Sequence, residues 1–230
     1  MASLSPPLLV IFDVDGTLLD SQRAIVAAMT TAYESHGLAP PSRRAIVGVV
    51  GLSVAEAVAE LSREAPDHPR EAIGEAFKES FRQGLAHAPD ESGLYPGAAD
   101  VLDALVARED VLLGLATGNS RRGVERLVAR FGLERHFVTT QSADDAPSKP
   151  HPAMVHQACV EAGVPAEQAV VVGDTSFDMA MARAAGARAI GVSWGYHAQD
   201  RLFAAGAERV LSSFAELIPA LRLVDPADAA

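Results

Sequence analysis

Five apolar runs of strand length, at Leu8–Phe12, Val111–Ala116, 137–140, 169–172 and 189–192, alternate with helical patterns that begin near Ser120, His151, Ser176 and Ala198. Runs rich in Val, Ile and Leu, without the apolar/polar alternation of a half-exposed strand, fit strands buried on both faces. Their alternation with helices predicts an α/β fold, a doubly wound parallel sheet with helices on both sides. Residues 208–211 add a last short strand before a helix over 213–221.

The pattern breaks between Asp20 and Leu94, where strand signals vanish and the chain reads as helices over 21–36, 42–47, 53–64 and 69–87. Gly and Pro punctuate it at 37–41, 48–52 and 65–67, and Tyr95-Pro96-Gly97 marks the return to the sheet. The expected organisation is therefore a core built from 1–20 and 93–230, with an all-helical domain inserted over 21–92. A chain of 230 residues with 49% hydrophobic and 21% charged residues can hold one sizeable core plus a smaller unit. The small acidic tail, 225–230, is expected to fray.

A net charge of −11 disfavours nucleic acid and anionic membrane surfaces as partners, because both are bound through an excess of Lys and Arg. No apolar stretch reaches the length of a membrane span, and the first run is too short and lacks the basic flank of a signal peptide, so a cytoplasmic protein is expected. The single cysteine, Cys159, excludes an intrachain disulfide and reads as a buried thiol on a helix.

Chemistry is concentrated at strand ends. Asp13 and Asp15 close the first run and are followed by Gly16-Thr17. Residues i and i+2 of an extended segment share a face, so the two carboxylates repel unless a cation sits beside them. Taken alone, the segment is equally a strand end with an Asp/Gly turn. Three further groups bear on the choice: Thr117-Gly118-Asn119 after the second run, Ser148-Lys149-Pro150 before a helix, and Gly173-Asp174 with Asp178 after the fourth run.

Those four segments, in that order, resemble the motifs of the haloacid dehalogenase superfamily of hydrolases with an inserted helical cap, nearest to those called phosphoglycolate phosphatases. They stand as Phe12-Asp13-Val14-Asp15-Gly16-Thr17-Leu18, Ala116-Thr117-Gly118-Asn119, Ser148-Lys149-Pro150 and Val172-Gly173-Asp174-Thr175-Ser176-Phe177-Asp178. The resemblance covers nearly the whole chain and implies a Rossmann-like core under a mobile lid. It also implies hydrolysis of a small phosphate ester through an aspartyl-phosphate.

On that resemblance Asp13 is the nucleophile and Asp15 the acid that protonates the leaving oxygen and later activates water. Mg2+ takes oxygen ligands and keeps several waters, so Asp13, Asp174 and the backbone carbonyl of Asp15 suit it. Lys149, one of only two lysines beside Lys78, neutralises the transferring group. Thr117, with the N–H groups of Gly118 and Asn119, binds phosphate oxygens, although capping of the next helix is an alternative task. Asp178 orients metal waters or Lys149, or else favours the helix dipole.

Related chemistries fit less well. Dehalogenases lack the second acid; sugar phosphomutases carry a His and an Arg where ungapped counting places Ile25 and Val54; phosphonatases need a cap lysine, for which only Lys78 exists. Pyrophosphate hydrolysis and a catalytically silent binding protein complete the alternatives. The histidines show no metal-ligand spacing, and His151 and His156, five apart, make a poor zinc pair. Trp194-Gly195-Tyr196-His197 reads as a packed aromatic loop. If the substrate is 2-phosphoglycolate, its carboxylate needs a cap cation, with Arg43, Arg44, Arg63, Arg70 and Arg82 as candidates, and the loop 48–53 is the part of the cap expected to touch it. A monomer or homodimer is expected.

Overall fold

The computed structural model describes residues 7–87 and 93–221. The acidic tail thus lies outside the described residues. Six strands, β1 (Leu8–Phe12), β2 (Val111–Ala116), β3 (Thr139–Gln141), β4 (Ala169–Gly173), β5 (Arg188–Val192) and β6 (Arg209–Leu211), form one sheet in the order β3-β2-β1-β4-β5-β6. Every pairing is parallel. This is the Rossmann-like order, in which the chain leaves β1 for one side of the sheet and later returns to the other. The reversal between β2 and β4 opens a crevice at the carboxyl end of β1.

Both faces are covered, as the unbroken apolarity of β1 requires. Val10 and Phe12 pack with α5 (Ala98–Val106), α6 (Arg121–Phe131) and α10 (Leu217–Leu221). Leu9 and Ile11 pack with α7 (Ala153–Ala162), α8 (Ser176–Ala185) and Leu202 of α9 (Gln199–Ala204). Each such fully buried side chain contributes about 1.5–3 kcal/mol relative to exposure. Cys159 is buried in the second of these clusters.

Two details differ from the sequence expectation. The third strand pairs over Thr139–Gln141, two residues into the 137–140 run and one beyond it, because the ladder matches Gly114–Ala116 to those residues while Val138 stays 53% exposed. The helix α5 was not expected; its apolar positions Ala98, Val101, Leu102 and Leu105 have helical spacing and face the sheet.

Between β1 and α5 the chain forms α1 (Gln22–Glu34), α2 (Arg43–Val47), α3 (Val54–Leu61) and α4 (Arg70–His87). Ser42 and Ser53 accept hydrogen bonds from the N–H groups of Ala45 and Glu56 and so fix the starts of α2 and α3. Ile25, Met29, Ala32, Tyr33, Ile46, Val50, Val58 and Ile73 make a separate apolar cluster among these helices. Its one buried polar pair, the hydroxyls of Tyr33 and Ser62, satisfies itself at 2.9 Å.

Candidate active site

Asp13 follows the last residue of β1, and its N–H donates to the Val172 carbonyl of β4, which holds the chain extended one step past the strand. Thr117 follows β2 and Asp174 follows β4, so three side chains on neighbouring strands meet at one edge of the sheet. Gly16 turns the chain away from Asp15 at φ +90°; a Cβ there would lie 2.3 Å from Asp174 Oδ2. The turn brings Thr17 Oγ1 within 2.9 Å of Asp174 Oδ1.

Lys149 is fully buried and donates to Asp13 Oδ1 at 2.5 Å and to Asp178 Oδ1 at 2.6 Å. Asp178 has two tasks, since its Oδ2 accepts from the N–H and hydroxyl of Thr175 in a capping box that starts α8. The two sequence explanations for this acid are therefore both present, one on each oxygen. Asp13, Asp174 and Asp178 place carboxylate oxygens within 4.8 Å of one another, a buried trio that could hold a metal ion. Asp13 Oδ2 is buried without a hydrogen-bond partner, which suits an atom reserved for a cation or an electrophile.

The side chain of Asp15 stands outside that trio. Its Oδ1 accepts from Ser21 at 2.5 Å and its Oδ2 from the Asn119 amide at 2.6 Å. Asn119 therefore binds an acid with its side chain, while the capping of α6 belongs to Ser120, whose hydroxyl accepts from Gly123. Thr117 Oγ1 accepts from the Asn119 N–H at 3.2 Å.

Burial dominates the electrostatics. It pushes Asp13 up to about 7, against the pull of Lys149. Asp174 is raised by burial and then by the nearby charge of Asp13. Asp15 is raised by burial, opposed by its bonds to Ser21 and Asn119. For Lys149 burial works downward, but Asp13 and Asp178 overcome it and hold the ammonium above its usual range. A divalent cation beside Asp13 and Asp174 would reverse their upward shifts.

The helical insert closes over this edge. Val49, Val50, Gly51 and Leu52 share a cavity with Asp13, Asp15, Thr117, Gly118 and Asn119. Gly118 permits the approach, because a Cβ there would lie 2.4 Å from the Leu52 carbonyl oxygen. Ser53 N–H donates to Ser148 Oγ at 2.8 Å. The His197 ring accepts from Ser176 N–H at Nδ1, 2.9 Å, which leaves Nε2 to donate to the Gly48 carbonyl at 3.3 Å.

Sequence reasoning passed over several of these groups. Ser21 heads α1, where a serine ordinarily caps, yet its hydroxyl makes no capping bond and is spent on Asp15. Tyr196 donates its N–H to Asp174 Oδ2 at 2.8 Å and its hydroxyl lies 3.1 Å from Ser21. Within the aromatic loop Trp194 packs against Phe214 and Tyr95, Tyr196 against the apolar cluster of the helical insert, and His197 edge-on to Phe177, so the loop is packed as expected. The five candidate arginines of the cap do not line the cavity holding Asp13. Arg43 bonds Gln22, Arg63 pairs with Glu60, Arg70 donates to the Ser62 carbonyl, and Arg82 pairs with Glu79. Arg44 borders a different groove. Lys78 is exposed and pairs with Glu75 at 2.7 Å.

The chain is similar to known proteins. The chain is 35% identical over 215 residues to a protein named "Probable phosphatase IndB" from Dickeya dadantii, covering 92% of each chain. It is 34% identical over 220 residues to a phosphoglycolate phosphatase of Rhodospirillum rubrum, covering 92% of this chain and 89% of that one. A hydrolase of solved structure from Pseudomonas syringae superposes with a TM-score of 0.82 at 28% identity, over 95% of this chain and 98% of the other. No helix among the described residues is long and apolar enough to cross a membrane. Residues 10–192, which contain every group just described at the sheet edge except the aromatic loop 194–197, match the family pattern of the haloacid dehalogenase-like hydrolases, and the chain belongs to that family.

Proposed function

We propose that this protein is a Mg2+-dependent phosphatase that hydrolyses a small organic phosphate monoester through an aspartyl-phosphate on Asp13. The observation that carries the reading is the Asp13 carboxylate itself, in a residue that lines the cavity: one oxygen is held by the Lys149 ammonium and the other is buried and unpartnered. Asp13, Asp174 and the Asp15 backbone carbonyl would hold the metal, whose charge screens the repulsion between carboxylate and phosphate.

Asp13 Oδ2 attacks phosphorus in line with the ester oxygen, and Lys149 offsets charge on both partners. The Thr117 hydroxyl and the N–H groups of Gly118 and Asn119 hold phosphoryl oxygens. Asp15, raised by burial, gives its proton to the departing alkoxide as the phosphorus–oxygen bond breaks. Ser21 and Asn119 fix the Asp15 carboxyl in one orientation during that transfer. The same carboxylate then takes a proton from the water that cleaves the aspartyl-phosphate. Asp178 does not touch substrate in this reading; it positions Lys149. The catalytic domain comprises 1–20 and 93–230, and the helical insert over 21–92 is a cap that excludes bulk water.

Relatives named phosphoglycolate phosphatase support phosphate release from a small ester. The test is Mg2+-dependent release of phosphate, with trapping of an acid-stable phosphoprotein. Asp13→Asn is expected to lose both, and substantial remaining turnover would reject the assignment.

A further inference from the structure

We infer that the leaving group of the preferred ester is neutral and mainly apolar, a short alkyl alcohol, and not an anionic one such as glycolate. The inference rests on the phosphatase reading and concerns the part of the substrate that faces the cap. The cavity above Asp13 and Asp15 is walled on its cap side by Ile25, Met29, Val50, Leu52, Phe77 and Phe81, with further aliphatic neighbours. Asp13 and Asp15 are the ionisable groups that line it among the described residues, and its other polar lining, Thr117 and Asn119, belongs to the phosphate end.

A carboxylate on the leaving group would be driven against these carbons, losing its water without gaining a cation. A hydrocarbon group gains from the same walls in proportion to the area it buries. Phe77 and Phe81, stacked with centroids 5.7 Å apart, give the α4 side of the cavity two aromatic rings. Arginines do lie nearby, but Arg82, Arg122 and Arg126 border an outer groove that adjoins the site at Asp15, Asn119 and Phe81. Phe81, like Asp15 and Asn119, lines both that groove and the inner cavity. Ile25 and Val54, where phosphomutase relatives were expected to carry polar groups, add to the apolar wall.

The test compares kcat/KM of the full chain with Mg2+ for isobutyl phosphate and 2-phosphoglycolate. Isobutyl phosphate matches phosphoglycolate in shape and differs from it in charge. Isobutyl phosphate, whose alcohol part is uncharged, is expected to exceed phosphoglycolate by tenfold or more, and Phe81→Arg is expected to shrink that ratio by at least tenfold by bringing a cation to the rim. Equal or greater efficiency for phosphoglycolate overturns the inference, and its loss in Arg82→Gln or Arg122→Gln would then assign the leaving group to the outer groove. Turnover of none of the esters overturns the phosphatase reading and this inference together, whereas turnover with an anionic preference overturns this inference alone.

Discussion

Lys149 Nζ lies 2.5 Å from Asp13 Oδ1, although 136 positions separate the two residues, and the same ammonium lies 2.6 Å from Asp178 Oδ1. One buried cation thus stands against two buried acids, with Asp174 close behind. Removing it by Lys149→Met leaves the acids uncompensated, which for a buried ion pair costs about 3–5 kcal/mol. Activity should fall by about a hundredfold or more through loss of transition-state charge neutralisation. Thermal unfolding in EDTA should show the loss of stability, and added Mg2+ should recover part of it by neutralising the same carboxylates. A variant as stable as the wild type in EDTA would refute the compensating role of Lys149.

Asp15 is held by two donors, Ser21 and Asn119, that bond its charged form and so oppose the rise caused by burial. Deleting either donor should let the carboxyl rise further. Because the first step needs Asp15 protonated, Asn119→Ala and Ser21→Ala should move the alkaline limb of the kcat/KM profile to higher pH. The pH profile checks this. A limb that stays in place while kcat falls would give Asn119 a different task.

How much of this could be read from the chain depends on the range of each interaction. Asp13, Thr117 and Asp174 were legible because each terminates an apolar run, and a parallel sheet brings such ends together whatever the loops do. The partners Thr17, Ser21 and Tyr196 were not, because their contacts with Asp174 and with one another span up to 175 positions and depend on how the turns fold back. The four cap helices announce themselves by period, but the direction of each cap arginine does not follow from period. Arg82 and Lys78 found acids three residues away on their own helix, and Arg63, in the turn after α3, found Glu60, rather than the cavity. The α5 helix has the right apolar spacing, but it is nine residues long and starts after a Pro-Gly turn with no side-chain cap to mark it.

Gly118 should be intolerant of any side chain for a reason apart from phosphate binding. A Cβ would stand 2.4 Å from the Leu52 carbonyl oxygen and 3.0 Å from that of Gly51, and these are backbone atoms that cannot rotate aside. Gly118→Ala should therefore displace the 48–53 loop while the sheet core stays intact. Hydrogen exchange is expected to quicken across residues 48–53, with activity reduced about tenfold or more and the melting temperature changed little. Unchanged exchange in that loop would show that the contact is not what seats it.

His197 joins the two parts of the molecule, bonding Ser176 of the core through Nδ1 and Gly48 of the insert through Nε2. Burial, followed by the nearby charge of Arg201, holds its imidazole down at about 4 against an ordinary 6.5. Protonation would also place a proton on Nδ1, the atom that accepts from Ser176, so the neutral ring is the one that fits. The unfolded chain takes up this proton first as pH falls, so stability from His197 is complete above about 6.5 and is lost progressively as pH drops toward 4. A shift of this size corresponds to at most about 3 kcal/mol. Denaturant unfolding measured from pH 7.5 to 4.5 should show a slope that His197→Asn reduces by up to one proton. An unaltered slope in the variant would mean that the ring is free to titrate in the folded protein.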